Sequence, residues 1–300
     1  MPMASEPNDA QQIIATLESR GLRAENLSPV GVRPSLDAYV AQLWERRHFI
    51  WMDARHRVVT QNSRNRLGNI WLLLRPLMDA AFYFLIFGVI LHRTSDEIDN
   101  FPAYLIIGVL MFRATSTAIT TAPGSLTGSR AMIRAFSFPR AAIPISAVLR
   151  QGMQMVWAVA AMIVMIMVFP EHELPNIMWP MILPVLALQW MMNLGLSFIF
   201  ARLGFQVPDV SQLMSFVSRV LMYGSGVIFP IERFLTHPVA ASIIQVNPVY
   251  QMLRLYRGIL QQGTLPPPDA WLILGAWSVG LLVGGFVYFW RGEASYGGGQ

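Results

Sequence analysis

The sequence predicts an all-α integral membrane protein with six transmembrane helices, an N-terminal amphipathic interfacial helix and a re-entrant hairpin before the last span. Three observations predict it. Apolar stretches with almost no charge recur at 70–91, 103–122, 143–168, 181–203, 211–230 and 270–290. Each is near the roughly 20 residues that a helix needs to cross a hydrocarbon core about 30 Å thick. In lipid the backbone polar groups have no water to bond, so such runs must be helical. Mean hydropathy is +0.45 and charged residues make up 13% of the 300, too few to cover a soluble fold of that size. Finally, arginine-bearing connectors alternate with acidic ones between the stretches.

Residues 1–35 are polar, and no apolar run follows a basic start, so they read as a mostly disordered cytoplasmic tail and not as a signal peptide. One short helix fits Asp9 to Arg20, with Ile13, Ile14 and Leu17 on one face and Gly21 as a stop. The next region, 36–69, holds the interfacial helix and a linker. Leu36, Tyr39, Val40, Leu43, Trp44, Ile50, Trp51 and Val58 recur at helical spacing between charged residues, with Trp44 and Trp51 at headgroup depth. That helix either anchors the spans or gates them. The transmembrane domain fills 70–290, and 291–300 is a short cytoplasmic tail containing Gly297 to Gly299.

The first span contains Arg75, Pro76 and Asp79. A central Arg or Asp costs roughly 2.5–3.5 kcal/mol, while each Leu, Ile, Phe or Val returns about 0.3–0.6. Thirteen such apolar residues return on the order of 6 kcal/mol, enough for one centred charge and hardly for two. Arg75 and Asp79 stand one turn apart and can pair, or they serve substrate admission. Arg113 lies near the middle of the second span and Arg219 within the fifth, neither beside an obvious carboxylate. Each either meets an anionic headgroup or bonds backbone carbonyls or Asn193 between helices. Tyr83, Phe87, Tyr223 and Phe229 belong to an aromatic set suited to a sugar path, although most membrane aromatics pack within the bundle or sit in interfacial belts.

Arginine placement sets the orientation. Arg46, Arg47, Arg55, Arg57, Arg64 and Arg66 precede the first span, and Arg130, Arg134 and Arg140 follow the second. The opposite loops carry Asp96, Glu97, Asp99, Glu171 and Glu173 against Arg93. Both termini are therefore expected in the cytoplasm of a multi-pass plasma-membrane protein. Arg233, Arg254 and Arg257 break the pattern. The segment 238–262, interrupted at Asn247-Pro248, is read as a hairpin dipping in from outside, its arginines snorkelling outward or facing protein.

Several chemistries are excluded. There is no cysteine, hence no disulfide framework or thiolate metal site. All 22 basic residues are arginine, so the chain lacks the lysine of a phosphate-binding ATPase loop and of Schiff-base catalysis. The five histidines show no metal spacing. The chain is expected to be no enzyme, to hold no metal or cofactor and to bind no nucleic acid.

The segment Ser63-Arg64-Asn65-Arg66-Leu67-Gly68-Asn69-Ile70-Trp71, followed by Arg75-Pro76-Leu77, resembles the ABC-2 type permeases, most closely the Wzm-type branch that exports polysaccharides and teichoic acids. The connector Met132-Ile133-Arg134 through Phe138-Pro139-Arg140 to Pro144, and Asn247-Pro248 with Tyr256-Arg257, extend the likeness over roughly 36–290. Ser129 stands where the family often has Asn, and Pro208-Asp209 where an Arg-Asp pair is common.

The resemblance implies a homodimer working with two ATPase subunits, which bind ATP and magnesium. It implies that Ser129, Arg130, Met132, Ile133, Arg134, Phe136, Phe138, Pro139 and Arg140 form the element that docks on them. Together with the residue readings above, it gives a candidate path or headgroup site of Trp44, Trp51, Arg75, Asp79, Tyr83, Phe87, Arg113, Arg219, Tyr223 and Phe229. The long polar extension and the lysine-free composition are similar to the actinobacterial branch that exports lipid-linked galactan. A permease for drugs or lipids, a membrane glycosyltransferase using Asp79, and a secondary transporter are the rival readings.

Overall fold

The computed structural model of the chain describes residues 34–61, 66–86, 100–136, 138–168, 175–231 and 238–296. The expected helix at Asp9–Arg20 lies outside them. Among the described residues every regular element is helical: α1 Leu36–Glu45, α2 Arg47–Thr60, α3 Trp71–Phe84, α4 Phe101–Thr121, α5 Ser125–Gly128, α6 Arg130–Ala135, α7 Ala142–Val168, α8 Ile182–Gln206, α9 Val210–Gly224, α10 Pro238–Val246, α11 Pro248–Leu260 and α12 Pro268–Arg291. Four segments, 101–121, 142–168, 179–206 and 268–291, are long and apolar enough to cross a membrane. The helix expected over 36–59 is two helices, because Arg46 leaves helical geometry (φ −87°, ψ 6°). The stretch expected to run to 230 stops as a helix at Gly224, and 225–231 turns back into the bundle.

α4 lies at the centre. Asn100 caps it from the left-handed region (φ 57°), its side chain accepting the Ala103 N–H at 3.0 Å, with Pro102 in the first turn. A largely apolar helix must be covered on most sides, and α4 is buried by α7, α8, α9, α3 and α11, with Arg113 and Thr121 left exposed. α8 and α12 pack closely and run parallel: Gly195 faces Leu281 and Leu282, whereas Arg202, two turns on, stacks over Tyr288 at 4.2 Å. A Cβ on Gly195 would overlap the Leu281 carbonyl, and one on Gly285 would overlap the Gly195 carbonyl, so glycine at both positions sets the close approach.

The segment 238–262 is two helices broken at Asn247-Pro248, and they differ in burial. α10 has no buried residue, but α11 is buried along nearly its whole length. Asn247-Pro248 acts as its N-cap: the Asn247 side chain accepts the Val249 N–H at 2.9 Å and donates to Ser225 Oγ at 2.9 Å. Arg257, which broke the charge pattern, faces protein. Its guanidinium donates to the carbonyls of Val227 at 3.0 Å and Tyr104 at 3.3 Å and covers the Tyr104 ring at 3.3 Å from the centroid. Tyr104 in turn donates to the carbonyl of Gly226 (φ 67°) at 2.9 Å. Arg254 pairs with Asp269 at 2.9 Å. Arg257→Met is expected to leave the Val227 and Tyr104 carbonyls short of donors, at about 1–3 kcal/mol each, read as a lower unfolding midpoint of the purified protein.

A further polar link crosses the bundle at mid-height. Gln189 on α8 donates to the Met111 carbonyl at 2.9 Å and to Thr115 Oγ1 at 3.1 Å, and accepts the Tyr256 hydroxyl at 2.8 Å. It fastens α4, α8 and α11 together within an otherwise apolar core. At the opposite end from α11, called the base below, α1, α5, α6 and the C-terminus of α12 share a second apolar cluster around Tyr39, Leu126, Phe198, Phe289 and Tyr296.

Candidate functional site

The first candidate element is a charged pair between helices. Asp79 on α3 is ion-paired with Arg113 on α4. This corrects two expectations: Arg113 does have a carboxylate neighbour, and Asp79 is engaged by Arg113 and not by Arg75. The partners lie 34 positions apart in sequence (113 against 79), and only the packing of α3 on α4 reveals them. Arg75, one turn below Asp79, opens into a groove of about 120 Å³ bounded by the end of α2, α3, α4 and α7. Gln61, Arg75, Arg113, Thr117, Gln151 and Gln154 supply its polar lining.

The groove continues toward the base. Thr117, Gln151 and Gln154 also line a smaller space of about 40 Å³, which Ser125 and Arg150 share with a basal recess of about 200 Å³ holding Arg57, Ser129 and Met132. Arg57, Arg75, Arg113 and Arg150, from α2, α3, α4 and α7, thus line a tract of three adjoining cavities. Arg57 is also bonded to Asp53 at 2.8 Å. Sequence reading missed Arg150, Gln151 and Gln154, although three polar residues within one turn-and-a-bit of an apolar run were the available signal.

The second element is the connector 125–141. α5 and α6 meet at Ser129; Arg130, Arg134 and Phe136 are exposed, Phe136 by 68%. Ile133 is buried and Met132 packs on the basal cluster. Phe138 and Pro139 turn inward, Phe138 with its ring 6.2 Å from that of Phe49 on α2. Of the two expected docking phenylalanines, Phe136 therefore faces outward and Phe138 inward.

Arg140 closes the connector on the base. Its backbone N–H and guanidinium donate to Glu293 Oε1 at 2.9 and 3.2 Å, and the Tyr39 hydroxyl donates to Glu293 Oε2 at 2.6 Å. The same hydroxyl accepts the Ala141 N–H at 3.0 Å. Glu293 and Tyr39 are buried, at 2% and 0% exposure. Burial, reinforced by the adjoining Glu293 carboxylate, pushes the Tyr39 phenol well above its ordinary range and keeps it a donor.

The remaining candidates are dispersed. Trp44 and Trp51 are exposed on α1 and α2, and Arg219 and Tyr223 on α9, while Phe229 packs against the main core from the 225–231 turn. Tyr83 belongs to α3, and Phe87 lies outside the described residues. The structure brings Arg75, Asp79 and Arg113 together, and Trp44, Trp51, Arg219, Tyr223 and Phe229 stand apart from them.

A bundle of long apolar helices, carrying an arginine-lined tract and an exposed basic connector, has the make-up of a transport component. The sequence model of the ABC-2 type transporter matches residues 55–260, most of the chain, and the chain belongs to that membrane-protein family. It is similar to the O-antigen export system permease protein RfbA of Myxococcus xanthus, 23% identical over 248 residues that cover 81% of this chain and 92% of that protein. RfbA of Klebsiella pneumoniae is 25% identical over 66% of this chain and 74% of its own length. The polysialic acid transport protein KpsM of Escherichia coli is 23% identical, over 78% and 90%. The chain is accordingly a transport permease and not an enzyme, and ABC-2 permeases work with a separate ATPase.

Proposed function

We propose that this chain is the permease subunit of an ATP-driven exporter that moves a lipid-linked polysaccharide, galactan, across the plasma membrane. The observation that carries the reading is the likeness, over most of both chains, to permeases named for O-antigen export and polysialic acid transport. The polar extension of about 35 residues and the absence of lysine support the galactan branch. Two copies form the transport unit and two ATPase subunits, loaded with ATP and magnesium, drive it.

In this reading the arginine-rich base faces the cytoplasm, as the positive-inside rule requires, with both termini there. α3 and α9 complete six crossings, and α10 with α11 is the re-entrant hairpin entering from the outer side. The parallel course of α8 and α12 supports that count, because it demands one net crossing between them. The exposed Arg130, Arg134 and Phe136 dock on the ATPase, with Ser129, Met132 and Ile133 behind them and Phe138, Pro139 and Arg140 as the seat.

Headgroup capture begins beside α1 and α2, near Trp44 and Trp51. The tract of Arg57, Arg75, Arg113 and Arg150 then offers successive donors to an anionic headgroup, each able to fork onto phosphate oxygens. The glycan passes between α3 and α9 of the two copies, along Tyr83, Phe87, Tyr223 and Phe229, with Arg219 at its side.

Reconstitution with the ATPase in proteoliposomes tests this. Lipid-linked galactan is expected to stimulate ATP hydrolysis and to be moved; stimulation by drugs or free lipids instead replaces the reading with a drug or lipid permease. Export activity from the purified chain with no ATPase overturns it. Arg113→Gln and Arg219→Gln are expected to slow export several-fold, and wild-type flux in both removes the headgroup role.

A further inference from the structure

We infer that Glu293 is a positioning residue that locks the connector to α1 and α12, so that movement of the connector is passed to both through one buried carboxylate. The inference rests on the proposal that the connector meets the ATPase. Glu293 follows α12, and its two carboxylate oxygens serve different elements: Oε1 holds Arg140 by backbone and side chain, Oε2 holds Tyr39 of α1. The Tyr39 hydroxyl adds a second tie to the connector through the Ala141 N–H. Three segments distant in sequence therefore meet at one group with 2% exposure.

What lies behind the carboxylate is stiff. Tyr39 touches Phe286 with ring centroids 6.0 Å apart, Phe286 and Phe289 each stand 5.5 Å from Phe198 of α8, and Tyr296 donates to the Phe289 carbonyl at 2.9 Å. Above them the glycine contact binds α8 to α12. Packed interiors shift between discrete arrangements and do not deform continuously. A displacement delivered at Arg140 is thus carried into the α8–α12 pair as a whole. Without the carboxylate, the connector retains its apolar packing and the single Ala141–Tyr39 bond, and loses every polar tie to the residue that follows α12.

The absence of cysteine makes the test direct. Gln42→Cys on α1 and Ala135→Cys at the end of α6 are both exposed positions for spin labels. In the full complex with its ATPase, the distance between them is expected to be narrow and unchanged by a non-hydrolysable ATP analogue. Glu293→Gln is expected to broaden it, let it shift with the analogue, and lower the lipid-linked galactan exported per ATP hydrolysed by about fivefold or more. Glu293→Asp, which keeps the charge, is expected to recover part of both.

If Glu293→Gln does not fold, Tyr39→Phe keeps the ring packing and is expected to broaden the distance likewise. An unchanged distance in the variant that folds, or unchanged export per ATP, overturns the inference. Cross-linking from Ala135→Cys to the ATPase separates the two proposals. No cross-link overturns the docking, whereas a cross-link with an unaltered Glu293→Gln distance overturns the lock.

Discussion

Asp79→Asn is expected to destabilise the bundle, and adding Arg113→Gln to it is expected to restore most of the loss. The single change leaves the Arg113 guanidinium at span depth with no counter-charge, which insertion scales put at about 2.5–3.5 kcal/mol. The side chains are 44% and 42% exposed in the isolated chain, so water in the groove screens the pair and about 2 kcal/mol is the better expectation. In the double variant two neutral amides can still bond each other. A double-mutant cycle on thermal unfolding of the purified permease measures the coupling, and additive losses rule the pair out as a stabilising unit. Export by the double variant then reports on Arg113 itself. A folded but silent double variant assigns the guanidinium to transport, and wild-type export assigns the pair to structure.

Gly195→Leu is expected to be the most damaging single substitution in the long helices. The added side chain meets the backbone of α12 at Leu281 and Leu282, which no rotamer change relieves, and α8 must move away from α12. Overpacking a core typically costs about 1–3 kcal/mol; here both surfaces are main chain, and the upper end or beyond is expected. The outcome is little or no assembled permease in membranes. Gly275→Leu supplies the control, since a Cβ there meets nothing within 4 Å. Equal yields and unfolding midpoints for the two variants would show that the helices are not held by this contact.

The long helices were legible because lipid solubility is written locally. Runs such as 143–168 carry their message in composition alone, and α4, α7, α8 and α12 were found within a few residues. Asn247-Pro248 was also legible as a break, since a side-chain acceptor followed by proline can open a helix and cannot continue one. The burial of α11 was not. Arg254 and Arg257 were open to snorkelling outward or facing protein, and nothing near them in sequence discloses the Tyr104 and Val227 carbonyls that receive Arg257. The pairing of Arg113 with Asp79 was hidden in the same way, because each residue finds its partner only when helices pack. Glu293 escaped notice as one polar residue in a short tail. A lone acid just after the last apolar run, opposite a basic connector, was the only hint.

The bond between Tyr39 and Glu293 spans 254 positions of chain. On the ribosome, α1 is made before every other described helix, yet its acceptor follows α12. Closing so long a loop is entropically costly and slow relative to local helix formation. α1 is therefore secured only after α12, the last of the long described helices, has been made. A chain cut short before Glu293 leaves the Tyr39 hydroxyl and the Arg140 amide without their shared acceptor, and quality-control proteases are presented with a loosened base that the carboxylate otherwise holds closed.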